Sequence, residues 1–431
     1  MNKINIHLVI MLFSVLSSLY AQNSEKNQKS ILENYEQVDL SNWKLIWQDE
    51  FDYSDKELDK KWISQNGPTE HVLVACSRWR ENAVVQNGIL ELGIKKETRG
   101  GQDWTAGNVW TKKTFGYGYF EARYKYAVAP ATNNSFWLWP KFKLAKGEKA
   151  CEVDINEGHF PSIINTNVHN WTDFDTAPSG RKTHSSNQLH HTLTAEPLHE
   201  IELKEVVKTK KIRLISSTPK SIQISELRIF GTSIKNFPNS NKPLPEHIKN
   251  LVASNDVTIT TNGNNSNALK SEPGFVADNR LDTRWVSRNS GDKWIEFEWD
   301  ADKEIKSIQF INGWLQNDGM SRNLITDYKI QVFENNIWKT IHEYNLSETS
   351  NFGEEYHTYG LEWDEDYFKF YFDGKLYYTM RNAVCFSETN ILFSLAILKN
   401  NYSGPITDDL DGKSMKIDYV RYYNRKSGTT N

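Results

Sequence analysis

Cysteine is scarce: the 431 residues hold three, at positions 76, 151 and 385. So few thiols exclude a disulfide-stapled miniature fold, and their spacing matches no zinc-binding pattern. The odd number leaves at least one unpaired, and whether the other two are bridged stays open at this level. Cys151 reads as a small core filler rather than a nucleophile, since strand alternation points it away from its neighbour Glu152. Positive charge is also lacking. The formal net charge of −4 leaves no basic footprint for a phosphate backbone, so nucleic acid is not an expected partner. Long apolar runs are missing as well: the stretch around Leu8-Val9-Ile10-Met11-Leu12-Phe13 is shorter than the ~20 residues of a spanning helix, so no membrane span is expected. From Trp43 onward helical periodicity is almost absent.

The first segment that stands out is N-terminal. Lys3, the apolar run and the ending Leu19-Tyr20-Ala21 have the three parts of a secretory signal peptide, with cleavage expected after Ala21 and export of a soluble mature chain. No Cys follows the run, so a lipid anchor has no support. Aromatics are abundant, with fifteen Trp and 13% Phe, Trp and Tyr together. Indoles serve both to stack sugar rings and to fill β-sandwich cores, and composition does not separate the two uses.

Short alternating runs such as Gly88–Ile94, Gly118–Tyr126 and Phe368–Phe372, broken by Gly, Asn and Asp, predict an all-β antiparallel sandwich. Asp373-Gly374 between two aromatic runs predicts a tight hairpin. Composition shifts near residue 175 and shifts back near 352, and the Pro- and Asn-rich stretch 236–245 reads as a linker. The expected organisation is therefore a signal peptide over 1–21, a first sandwich over 22–190, an inserted second β-sandwich over 191–350, the rest of the first sandwich over 351–425, and a tail over 426–431.

The chemistry concentrates in Cys151-Glu152-Val153-Asp154-Ile155-Asn156-Glu157. Strict alternation would put Glu152 and Asp154 on one face of a strand and Glu157 on the other. One extra residue looped out between Asp154 and Glu157 would bring all three carboxylates to one face. Glu152 and Glu157 would then stand roughly 5 Å apart, the separation used by retaining glycoside hydrolysis.

Taken in chain order, Leu45–Phe51, Gly116–Arg123, Asn134–Trp139, the Glu-x-Asp-x-x-Glu run, His357–Trp363 and Ile417–Tyr423 resemble glycoside hydrolase family 16. These are the jelly-roll enzymes that include laminarinases, agarases, porphyranases and carrageenases. The interrupting segment resembles a discoidin-like (coagulation-factor type C) module in Val276–Trp285, Lys293–Phe297 and Tyr328–Phe333. The strands that usually close such a module, Lys211–Ile215 and Ile224–Gly231, here come first. One circularly permuted module is the expectation, because half a sandwich would leave an open apolar face; two truncated copies are the alternative.

The resemblance implies Glu152 as nucleophile and Glu157 as acid/base. Asp154 would hydrogen-bond Glu152 and, by its negative charge, keep the proton on Glu157. Trp137 and Trp139 share a strand face, and the resemblance puts the first of them against the sugar next to the cleavage point. His169 and Trp171, two residues apart on the following strand, are candidates for the cleft, as are Arg78, Trp79 and Trp104 in early loop-like segments. Family members often carry a structural calcium, for which Glu50 and Asp418 are the candidate ligands; no cofactor is otherwise required. A Trp-Pro pair before the Phe-Trp strand and a Met after Asp154, as in laminarinases, are absent. The expected substrate is therefore a polysaccharide of the red-algal galactan type, cut at β-1,4 linkages. Hydrolysis of β-1,3-glucan and glycan binding without turnover are the alternatives.

Overall fold

The computed structural model describes residues 36–142, 151–170, 188–191, 198–219, 221–234, 244–265, 268–288, 291–315, 321–348, 350–399 and 403–426. The signal-peptide segment, Trp171 and nearly all of the expected tail lie outside the described residues.

Two β domains are present, each with its own core. In the first, a ten-stranded and a seven-stranded sheet enclose an interior of residues such as Leu90, Leu92, Phe120, Phe136, Leu138, Val153, Ile155, Phe370 and Phe393. Alternation puts them there. In Ile89–Lys95, Leu90, Leu92 and Ile94 are buried while the residues between them are half-exposed, each buried aliphatic side chain contributing about 1.5–3 kcal/mol. The first and last described strands meet in the larger sheet, where Trp43–Asp49 pairs antiparallel with Ser414–Arg425. Strands that follow the insertion, His357–Trp363 and Asn390–Ile397, pair with Gly118–Lys125 and Thr132–Trp139, which precede it. The expected hairpin turn is there: Asp373 and Gly374 both adopt left-handed backbone, at φ 47° and 74°, as a type I′ turn demands.

The second domain has a seven-stranded sheet, in the order Trp285–Val286, Gln223–Phe230, Lys293–Asn312, Leu198–Ser216, Asp327–Glu334, Ile337–Asn345, with Val257–Thr261 also on Lys293–Asn312, and a small two-stranded one of Trp314–Leu315 and Ser321–Arg322. Strands from before and after the linker share a single core that joins Ile212, Leu214 and Ile229 to Ile295, Phe297 and Ile330. That is one unit, not two half-sandwiches. The expected boundary at 191 falls slightly early, since Gln188–His191 still pairs with Ile164–Asn170 of the first domain. His190 and His191 are polar and gave no alternation to read. Among the described residues no helix is long and apolar enough to cross a membrane.

Candidate active site

Strand Cys151–His159 lies between Thr132–Trp139 and Ile164–Asn170 in the seven-stranded sheet. Along Thr132–Trp139, Asp154 pairs with Trp137 and Asn156 with Phe136, so Ile155 has no partner and forms a bulge. Ile155 is in the core. Asn156 also faces inward, its amide donating to the hydroxyls of Tyr124 and Tyr126 at 2.7 Å each. Two successive inward residues reverse the phase of the strand, and Glu157 emerges on the face of Glu152 and Asp154. Gly158 secures this arrangement, because a Cβ there would lie 2.2 Å from Cζ of Tyr126. Only glycine lets that ring come close enough to hold Asn156.

The three acids are tied together through neighbouring strands. Glu157 accepts from Asn133 Nδ2 at 3.0 Å and from Asn167 Nδ2 at 2.7 Å. Ser135 Oγ donates to Asn133 Oδ1 at 2.6 Å, which orients that amide. Asn167 sits opposite Asp154, and His169 sits opposite Glu152. His169 Nε2 comes within 3.3 Å of Asp154 Oδ2. Asp154 is almost fully buried, with 2% of its surface exposed. Burial and then the charge of Glu157 push its carboxyl well above the usual range, opposed by hydrogen bonds with Asn167 and Glu152. The direction follows from burial outweighing the hydrogen bonds that favour the ionised form.

Of the other expected residues, Trp137 and Trp139 are half-buried. Trp137 stands beside Asp154 and donates from Nε1 to Ser394 Oγ at 3.2 Å. Arg78 is 7% exposed. Trp79 is half-buried, the Arg99 guanidinium covers its ring at 3.6 Å, and its Nε1 donates to Ser77 Oγ at 2.8 Å. Trp104 belongs to the core. Sequence reasoning missed Asn133, Asn167 and Trp110. Trp110 lies in one cross-sheet row with Asn167, Asp154, Trp137 and Leu392, a relation that only strand register reveals.

The expected calcium ligands do not fit an ion. Glu50 accepts two hydrogen bonds from Arg421, at 2.9 and 3.0 Å, and Asp418 accepts from Arg123. Both carboxylates are neutralised by guanidinium groups, whereas calcium needs six to eight free oxygens. Ligand atoms of Glu152, Asp154 and His169 do lie within 4.8 Å of one another. A cation there would occupy the carboxylates that the chemistry requires, so no step is routed through one. Cys151 and Cys385 form a disulfide across 234 residues, and Cys76 is free and buried.

Residues 319–421 match the model of Glycosyl hydrolases family 16. The family signal lies there. The matched stretch begins after the carboxylate strand Cys151–His159 and covers mainly the strands that follow the insertion. The Beta-glucanase of Rhodothermus marinus is 31% identical over 138 residues, which is 30% of this chain and 48% of that protein. The Glucan endo-1,3-beta-glucosidase A1 of Niallia circulans is 30% identical over 96 residues, 19% of this chain and 14% of that protein. The chain thus spans about half of the first relative and a small part of the second. The solved endo-beta-1,3-glucanase of Pyrococcus furiosus superposes with a TM-score of 0.46 at 16% identity, covering 91% of this chain and 99% of that one. At that distance the superposition adds nothing to the assignment.

Proposed function

We propose that the protein is a retaining endo-glycoside hydrolase of the family 16 type, acting on a polysaccharide by double displacement. The observation that carries this reading is the bulge at Ile155, which turns Glu157 to the face of Glu152 and Asp154. Glu152 attacks the anomeric carbon while Glu157 protonates the departing oxygen; water then enters with Glu157 as base and releases Glu152. Asn133 and Asn167 hold both oxygens of Glu157, and Trp137 offers a ring beside the acids. The polymer we infer is a red-algal galactan cut at β-1,4 linkages. Support comes from the missing Trp-Pro pair and from Asn156, which fills the position after the bulge and is held by two tyrosines. β-1,3-Glucan is the second reading, favoured by the names of both curated relatives.

We read the inserted domain as a circularly permuted discoidin-like module, supported by the single core shared by strands from both sides of the linker. We read the protein as exported, a reading supported by its signal-like N-terminus and a buried disulfide, which persists in oxidising compartments. The test is reducing-end release over a panel of galactans and glucans, with Glu152→Ser and Glu157→Gln as controls. The wild type should cut a galactan and both variants should lose at least about 10³-fold in rate. Cleavage of laminarin alone would overturn the galactan reading, and full activity of Glu152→Ser would overturn the mechanism.

A further inference from the structure

Trp110, in strand Asn108–Thr111, is half-buried, and unlike Trp62 and Trp104 it is no part of the core. Register fixes the face it occupies. Asp154 pairs with Trp137, Trp137 with Leu392 and Leu392 with Trp110, so the indole stands on the same face of the seven-stranded sheet as the acids. The row ends on Ile63 in the outermost strand, which pairs with Trp110 and is 40% exposed. Lys141 Nζ lies 4.8 Å from the centre of the Trp110 ring, and Lys141 is exposed, so that ring face borders solvent rather than packed protein.

One step along each strand on the same face lies a second row, Glu157, Ser135, Ser394 and Asn108. A pyranose has an apolar C–H face and a polar hydroxyl rim, and the two rows match those parts. Trp137 and Trp110 offer ring faces, while the second row offers hydroxyls and an amide. A merely solvated sheet face would carry polar residues in both rows. Strand spacing relates this pattern to the acids. Neighbouring strands lie about 4.8 Å apart, and Trp110 is three strands from Glu152 and Glu157, so it stands roughly 14 Å away across the sheet. A β-linked sugar advances a polymer by about one strand spacing, which puts Trp110 under about the third sugar from the bond that is cut.

We propose that Trp110 is the platform of a distal sugar subsite and that it makes the enzyme select long chains over short ones. The proposal deepens the hydrolase reading and rests on it for the position of the scissile bond. Stacking at Trp110 acts far from the reacting atoms, so it holds substrate and transition state alike and lowers KM without changing kcat. Lys141, flexible and exposed, yields the ring face to the sugar and has three N–H donors for its hydroxyls. Chains too short to reach the ring gain nothing from it.

The test is kcat and KM on oligosaccharides of increasing length from agarose, carrageenan and laminarin, for the wild type, Trp110→Ala and Trp110→Phe. Wild-type KM should fall as the chain becomes long enough to reach the ring. Trp110→Ala should raise KM on the long members about 3- to 30-fold, the range for one aromatic platform. It should leave kcat unchanged and the shortest cleaved members unaffected, while Trp110→Phe keeps part of the gain. A role in folding alone would alter every length alike. Should Trp110→Ala melt well below the wild type, Trp110→Leu, which fills the space without a ring, decides by the same comparison. Equal loss at every length, or no loss on the long members, would overturn the subsite and leave the hydrolase reading standing. If the wild type cleaves nothing, affinity electrophoresis of the wild type and Trp110→Ala in gels containing each polymer separates the two readings. Retardation that the substitution weakens upholds the platform without the hydrolase; unchanged retardation, or none by any polymer, ends it.

Discussion

The disulfide between Cys151 and Cys385 closes a loop of 234 residues that contains the whole inserted domain. In the chain-entropy model, cross-linking a loop of that length removes about 18 cal/mol/K from the unfolded chain, or about 5.5 kcal/mol at 25 °C. Replacing both cysteines with alanine should therefore destabilise the first domain by about 4–6 kcal/mol, which lowers its melting temperature by roughly 10–20 °C. Both residues are buried, at 2% and 0% exposure, so reductant should act on the unfolded chain far faster than on the native one. The assay is a calorimetric scan of the wild type and the Ala/Ala variant, with thiol titration in denaturant. Unreduced wild type should show one thiol, Cys76, rising to three after reduction. Activity at 25 °C should persist in the variant, because Val153 and Asp154 remain paired on both sides. Three thiols in unreduced protein, or a shift below about 3 °C, would refute the reasoning.

Other tests address the carboxylate strand. Asp154 holds its proton to higher pH when folded than when unfolded, so unfolding releases that proton and stability falls as pH rises from the ordinary carboxyl range through the raised value. Asp154→Asn should abolish that slope, raising the melting temperature at neutral pH while lowering activity; an unchanged stability profile from pH 4 to 8 would contradict it. Gly158→Ala drives a methyl into the Tyr126 ring and should destabilise by about 1–3 kcal/mol, with a loss of rate because Tyr126 holds Asn156; urea melts and kinetics measure both. Asn167→Ala removes a 2.7 Å hydrogen bond to Glu157, worth about 1.5–3 kcal/mol of stability when the acceptor is charged, so melting temperature should fall by roughly 3–12 °C and kcat/KM should fall as Glu157 loses its orientation.

What the sequence disclosed was whatever follows from spacing along one strand. The run from Glu152 to Glu157 is one residue out of phase for a flat strand, and the bulge at Ile155 answers that mismatch. Asp373-Gly374 needed two left-handed residues and has them. What remained hidden was set across strands. Glu50 and Asp418 looked like ligands because their arginine partners, Arg421 and Arg123, become neighbours only through sheet pairing. The Arg99 guanidinium over Trp79 was equally hidden, since it comes from a separate loop. Trp110 gave no signal, since it repeats no motif and its place in one row with Trp137 follows from the register of Asn390–Ile397 against its two neighbours. The same distinction explains Asp154. Its charge was read from its residue type, but its proton affinity depends on how deeply the row buries it, and that depth is supplied by strands that contribute no acid. Reaction chemistry can thus be carried by one short segment, while the proton balance and the choice of substrate depend on residues that only the folded sheet brings together.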